Sequence, residues 1–221
     1  MPRNKSAPGG TNKKLILDPD HYRLPSLRIS HIVYGREKRG HKVVYLVHPR
    51  GEGTEKQIAE KVVLYRWRKR ISSGFTFSGA RLPPVVWRVL PKVLGGELSA
   101  WSEMSAQEIR RQVDRSRESM REKYEKVPAA EVLWALIHHC GEKRIADILA
   151  RHNDPSRVEN YGTPDLFLYA TENKSGRVAI ARFVEVKKPE EPLSKDQKAE
   201  IIFLQSLGLH ARVLRLIERD H

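Results

Sequence analysis

Three residues in the last third of the chain have types and spacing suited to joint chemistry: Asp165, Glu185 and Lys187. Glu185-Val-Lys187 ends a β-branched apolar run that begins at Val178. Successive strand residues point to opposite faces, so Glu185 and Lys187 share a face while Val186 points away. Asp165 is the acid at the start of a second apolar run, Pro164-Asp-Leu-Phe-Leu-Tyr169. If the two runs pair as a hairpin-like unit, both carboxylates converge at one end. Two carboxylates held close repel each other and each is costly to desolvate, a conflict that a divalent cation resolves. Hard oxygen donors without a Cys/His cluster favour Mg²⁺ or Mn²⁺ over zinc. A lysine beside such a pair can orient a water or stabilise the negative charge that develops on a phosphate under attack. Each half is common by itself: a surface Glu–Lys pair and a turn-forming Pro-Asp account for them separately. Their conjunction on consecutive strands is the specific signal.

The elements that must position these residues read as strand, strand, helix, strand. Asn173 to Gly176 is a turn between the two runs, Ser194 starts a helix that continues to Leu207 and stops at Gly208, and Ala211 to Ile217 is a closing strand. Ser194-Lys-Asp-Gln197 forms a capping box, which accounts for Gln197 without any chemistry. Lys188 and Lys195 flank the site, placed either to hold phosphates or to face solvent.

Upstream, residues 1 to 20 form a basic tail rich in Pro, Gly, Asn, Ser and Lys. The runs Ile29 to Tyr34 and Lys42 to Val47 flank Gly35-Arg-Glu-Lys-Arg-Gly40, which reads as a hairpin with a basic tip. That tip is either a solvated turn or a finger for phosphates. Thr54 to Arg70 has helical spacing, Phe75 to Ala80 reads as a Gly/Ser-rich break, and Pro83-Pro84 opens a short helix stopped by Pro91 or by Gly95-Gly96. Ser105 to Glu108 is a second capping box; the helix after it carries a narrow apolar stripe and faces crowded with Arg110, Arg111, Arg115, Arg117, Arg121 and Lys123. Such a face is solvated or rests on a nucleic-acid backbone. Pro128 opens an apolar helix to Cys140, and Gly141 resets the chain before a shorter one. Glu125 to Ala129 is the candidate linker. The expected organisation is a tail (1–20), an accessory region of hairpin and helices that contacts DNA (21–126) and a catalytic domain (127–221).

Composition limits the partners. With 39% apolar and 31% charged residues the chain is globular in type, and its formal net charge of +14 attracts polyanions. No apolar run approaches the ~20 residues of a membrane span. A lone cysteine, Cys140, in an apolar stretch excludes an internal disulfide and reads as a buried, inert thiol. These features lead to an expectation of a cytoplasmic, nucleoid-associated protein, or a nuclear one in a eukaryote. His138 and His139, about 100° apart on a helix, cannot both face one metal. The four tryptophans read as core.

Gly162-Thr-Pro-Asp165, Glu185-Val-Lys187 and Leu193-Ser-Lys-Asp-Gln197 together resemble the PD-(D/E)XK nucleases of the VRR-NUC group. Gly141-Glu-Lys-Arg-Ile-Ala-Asp-Ile-Leu149 leading into Tyr161-Gly-Thr-Pro-Asp-Leu-Phe-Leu168 is similar to the nuclease end of the Fanconi-associated nucleases. The likeness covers residues 141 to 217. It implies an α/β, restriction-endonuclease-like core, a mixed sheet flanked by helices, with a mainly helical accessory region and a β-hairpin before it. It also implies a divalent metal, Mg²⁺ or Mn²⁺, held by Asp165, Glu185 and the Val186 carbonyl, with Lys187 catalytic and Gln197 matching a glutamine frequent in the group. The implied activity is hydrolysis of DNA phosphodiesters in flaps or junctions, in repair or recombination, with a homodimer in small members. The group supplies a further acid from an upstream helix. The nearest counterpart here, Gly74-Phe-Thr-Phe-Ser-Gly79-Ala80, has glycine where that glutamate would fall. Glu60, Glu97, Glu131 and Glu142 are the other candidates, with Glu131 preferred because its apolar helix must pack near the sheet. A chain lacking that acid would be a DNA-binding module that keeps the fold without the activity.

Overall fold

The two runs that hold Asp165 and Glu185 pair with each other and form the middle of a five-stranded mixed sheet. The computed structural model describes residues 29–34, 36–39, 42–45, 59–119, 127–154, 162–188 and 191–218. The strands are β1 (Ile29–Tyr34), β2 (Arg36–Arg39), β3 (Lys42–Tyr45), β4 (Phe75–Arg81), β5 (Leu166–Glu172), β6 (Val178–Lys187) and β7 (Ala211–Glu218). The helices are α1 (Ala59–Arg68), α2 (Val86–Leu94), α3 (Leu98–Glu103), α4 (Ala106–Ser119), α5 (Ala130–Asn153) and α6 (Lys195–Ser206). The large sheet has the order β1-β7-β6-β5-β4, and β2 with β3 makes a separate two-stranded ribbon. β4, β5 and β6 run antiparallel in turn, whereas β6–β7 and β7–β1 are parallel. The parallel step from β6 to β7 requires a crossover, and α6 supplies it.

Alternation divides the sheet residues between two cores. Leu166, Leu168, Ala170, Val184, Val186 and Leu216 pack against Ala59, Val62, Val63 and Trp67 of α1. Phe167, Tyr169, Ala181, Phe183, Ala211 and Val213 face the other way, into a larger core built with α2 to α6. β6 lies at the centre of the sheet and grows more buried toward its C-terminal end, where Glu185 and Lys187 sit.

Two sequence expectations change here. Phe75 to Ala80 is not a break but β4, an edge strand bonded to β5. Gly79 is needed there for close strand contact, because a Cβ would lie 2.7 Å from the Phe167 carbonyl oxygen and 2.9 Å from Leu168. The hairpin is also displaced. Ile29–Tyr34 joins β7 in the large sheet, and the ribbon pairs Arg36–Arg39 with Lys42–Tyr45, so the basic segment read as a tip is itself a strand. The sheet thus draws β1 and β4 from before residue 126 and β5 to β7 from after it. The tail at 1–20, Arg121 and Lys123, and the first part of the expected linker lie outside the described residues.

Local signals account for most of the helices. Ser105 and Glu108 make their reciprocal cap at the start of α4, with Ile109, Val113 and Ser116 buried. Gly141, at φ 71°, interrupts α5 where the sequence resets. α2 runs through Pro91 and ends at Gly95. Trp67, Trp87 and Trp101 are core residues, and Trp134 packs beside His138. Cys140 is buried, and burial pushes its thiol up to about 12. Among the described residues no helix is long and apolar enough to cross a membrane.

Candidate active site

Asp165 lies on the last residue before β5, and its carbonyl accepts a hydrogen bond from the Leu82 N–H at 2.8 Å. Its side chain bridges to the next strand: the Val186 N–H donates to Asp165 Oδ2 at 2.8 Å. This bond ties the acid to the backbone of the segment that bears Glu185 and Lys187. Val186 itself points into the core beneath α1, leaving its two neighbours on the opposite face.

Glu185 and Lys187 are only 1% and 2% exposed. Lys187 Nζ lies 3.0 Å from Glu185 Oε1 and 3.3 Å from Glu191 Oε1. The Gln197 side-chain amide donates to the same Glu185 oxygen at 2.5 Å. Glu185 Oε2 is buried and has no hydrogen-bond partner. A buried carboxylate oxygen left unmatched is costly. Burial above all, and then the charges of Asp165 and Glu191, push Glu185 up to about 8 against the opposing pull of Lys187. Burial is also the first cause that raises Asp165, with Glu60 and Glu191 adding to it and the Val186 N–H and Lys187 working against it.

Gln197 serves the helix and the carboxylate together. Its Oε1 accepts from the Ser194 N–H at 3.0 Å while Ser194 Oγ accepts from the Gln197 N–H at 3.1 Å, completing the capping box. Its Nε2 is left free to reach Glu185. The strand-to-helix relation is fixed further by Gly162, whose φ is +66°. A Cβ there would lie 2.6 Å from the Asp196 carbonyl carbon and oxygen and 2.7 Å from the Gln197 nitrogen. The loop bearing Asp165 therefore rests directly on the first turn of α6.

The upstream acids separate clearly. Glu60, in the first turn of α1, is close enough for its charge to raise Asp165, and it pairs with Arg81 at 3.7 Å. Glu131 pairs instead with Arg110, and its charge is not among those acting on Asp165 or Glu185. α5 does pack near the sheet, as its apolar pattern requires. It does so through Val132, Leu133, Leu136 and Ile137, which leaves Glu131 toward α4. Glu97 and Glu142 are exposed and do not act on the pair.

Two contributors escaped the sequence reading. Glu191 receives both Lys187 Nζ and the Lys188 N–H, and its only sequence signal is its i,i+4 spacing from Lys187. Behind the site, Glu200 is fully buried, accepting from Arg151 at 2.8 Å and lying 2.8 Å from His152 Nε2. Its desolvation is outweighed by these bonds, so its pKa is held below the ordinary range. This network fastens α6 to the end of α5.

Among the described residues no three His, Cys, Asp or Glu converge as a metal-binding group. The donor set is two carboxylates with one orphaned oxygen. That suits Mg²⁺, which keeps several waters and takes one or two protein carboxylates together with substrate phosphates.

Comparison with known proteins assigns a family. The model of the VRR-NUC domain matches residues 99–216, more than half of the chain. The chain belongs to the VRR-NUC family of nuclease domains. No curated protein matches it by sequence. Similar solved structures include paFAN1 bound to DNA with a two-nucleotide 5′ flap and gap, at 14% identity and TM-score 0.48, covering 100% of this chain and 40% of that one. Another is paFAN1 bound to DNA with a one-nucleotide 5′ flap and gap, at 14% identity and TM-score 0.44, covering 89% and 39%. The chain thus spans about 40% of the length of that protein.

Proposed function

We propose that this protein is a metal-dependent DNA endonuclease that hydrolyses phosphodiester bonds in branched substrates, flaps or junctions, in repair or recombination. The observation that carries the reading is the Asp165–Glu185–Lys187 group, in which a buried carboxylate pair has one oxygen unmatched. Asp165, Glu185 and the Val186 carbonyl would hold Mg²⁺ or Mn²⁺, and Glu60 on α1 is the upstream acid whose charge reaches Asp165. A divalent cation supplies charge neutralisation of the carboxylates and the phosphate and lowers the pKa of water.

The chain's own residues have distinct tasks. Lys187, 3.0 Å from Glu185, favours the charged form of that carboxyl and would face the charge that grows on a phosphate during attack. Gln197 holds one Glu185 oxygen, which leaves the other free to take a cation. Glu191 steadies the Lys187 ammonium and the backbone of Lys188. Gly162 and the α6 cap set the distance between the loop and the helix.

The test is cleavage of labelled flaps, four-way junctions and linear duplexes with Mg²⁺ or Mn²⁺. Wild-type protein is expected to cut a branched substrate, and Asp165→Ala and Lys187→Ala are expected to abolish cutting. Cleavage that survives in either variant refutes the site. Tight binding without cleavage by the wild type would identify a DNA-binding module that keeps only the fold.

A further inference from the structure

Away from the carboxylates, three arginines meet on the face of the sheet that α1 covers. Arg182 on β6 stands opposite Leu168, and Arg212 on β7 opposite Val184. Leu168 and Val184 belong to the core under α1, so alternation turns both arginines to that side. Arg70, just past the end of α1, joins them: its guanidinium lies 5.3 Å from the Trp67 ring centre and 5.5 Å from that of Phe77. The Arg182 guanidinium lies 5.5 Å from the Trp67 ring centre. Trp67 cannot shift to suit them, because its indole N–H is bonded to the carbonyls of Ser78 and Tyr169.

This arrangement has no internal explanation. Among the described residues no carboxylate pairs with Arg70, Arg182 or Arg212. Burial first, and then the charges of Arg212 and Arg70, lower the pKa of Arg182, so the three cations destabilise one another. From residue 59 to residue 70 the chain has five cationic side chains and one acid, Glu60, at the opposite end of the helix. Beside Arg70, Ile71 is 100% exposed and Tyr65 is exposed beneath Lys69. Guanidinium groups held over aromatic rings keep N–H donors available for phosphate oxygens. Exposed apolar and aromatic groups among such cations suit sugars and bases better than a carboxylate-rich protein surface.

We infer that Arg70, Arg182 and Arg212 form a second nucleic-acid contact, which grips the phosphodiester backbone of a duplex arm on the α1 side of the sheet. The inference rests on reading the chain as a DNA-acting protein and adds where the substrate arm runs. α1 is the spacer. Its ten residues separate Glu60 from the arginines by about 15 Å at 1.5 Å per residue. At 3.4 Å per base pair that distance is roughly four to five base pairs of duplex.

The test measures the affinity of the full chain for a labelled blunt duplex across a salt series in EDTA, so that binding is read without cleavage. Arg70→Gln is expected to flatten the slope of log affinity against log salt by about one unit, and the Arg70→Gln/Arg212→Gln pair by about two. Arg212→Lys keeps the charge and is expected to keep the slope. Lys143→Gln, on α5, is expected to change it by less than either arginine variant. Equal flattening by Lys143→Gln would mean diffuse attraction and overturn the proposal. So would an unchanged slope in both glutamine variants, or an acidic peptide of matched charge that competes as well as the duplex. Loss of the nuclease reading has a different signature: wild-type protein would fail to cut in Mg²⁺ while its duplex affinity in EDTA stayed sensitive to Arg70→Gln.

Discussion

Gly162→Ala isolates the contact that joins the Asp165 loop to the Gln197 helix. A Cβ at Gly162 would meet Asp196 backbone atoms at 2.6 Å and the Gln197 nitrogen at 2.7 Å, and the residue sits at φ +66°. Two costs follow. A left-handed conformation costs an L-residue about 1–2 kcal/mol. Forcing an extra methyl against packed neighbours costs a further 1–3 kcal/mol or so. The neighbours here are helix backbone, which cannot swing aside as a side-chain tip could, so the sum is about 3–4 kcal/mol. Gly208 provides the control, with φ +75° and only the end of the Arg144 side chain at 3.7 Å. It is the left-handed glycine of the α6 C-cap, with its own N–H bonded to the Gln205 carbonyl and the Leu209 N–H to that of Leu204. Gly208→Ala therefore carries the conformational cost alone. For a chain of this size 1 kcal/mol moves the melting midpoint by about 2–4 °C. Gly162→Ala is expected to melt roughly 6–16 °C below wild type and Gly208→Ala roughly 2–8 °C below. Thermal melting of the three proteins gives the difference, and cleavage rates measured well below all three midpoints show whether the site moves. Gly162→Ala is expected to lose activity while folded, and Gly208→Ala to retain it. If the two variants melt within about 2 °C of each other, the loop does not bear on the helix and the argument fails.

The remaining predictions concern charge. Glu185 has a folded-state pKa raised to about 8, so the folded protein holds a proton there that the unfolded chain releases near its ordinary 4.5. Without metal, this group makes stability fall as pH rises from about 4.5 to about 8; added Mg²⁺ should therefore raise the melting point more at alkaline than at mildly acidic pH, and an equal shift at both would refute the placement of the cation. Glu60→Gln is expected to lower Mg²⁺-dependent cleavage by roughly 10²-fold, while Glu131→Gln leaves it near wild type; the reverse order in a cleavage time course would return the further acid to α5. Glu200 has its pKa lowered, so its contribution to stability is present above its unfolded value and lost as pH falls through the folded one. Glu200→Gln leaves Arg151 and His152 without their anion and should cost about 3 kcal/mol, and its melting curve should no longer share the wild type's acid-side decline. Cys140, buried with its thiol pushed up to about 12, should not react with a thiol reagent until the protein unfolds; modification of the native protein would contradict its position in α5.

What the sequence made legible was local. Strand alternation separates Glu185 and Lys187 from Val186 without knowledge of any partner, and the two capping boxes and Gly141 mark helix limits within a few residues. What it concealed was pairing over distance. Ile29–Tyr34 reads as one arm of a hairpin because a β-rich run lies nearby in sequence, yet its partner is β7, more than 170 residues on. β4 has the glycine and serine of a loop because it is an edge strand whose Gly79 must lie against the β5 backbone. Glu60 was one acid among four for the same reason: only the packing of α1 on the sheet brings it to Asp165. Glu131 lies on a helix that does pack near the sheet, but the apolar residues that pull α5 inward turn Glu131 toward Arg110.

Gln197 shows where a choice framed by sequence dissolves. Cap and site looked like competing explanations of one residue, each sufficient. A side-chain amide has two ends, an acceptor and a donor, and here the acceptor closes the capping box while the donor holds Glu185. Because one rigid group makes both bonds, the start of α6 cannot shift without moving the carboxylate. Gln197→Glu separates the two ends, since a carboxylate can still accept from the Ser194 N–H but has no donor for Glu185. The variant should keep its helix, but the facing carboxylates should lower its melting point more at alkaline than at acid pH, and weaken cleavage. A melting point that falls equally at both pH values would show that Gln197 acts only as a cap.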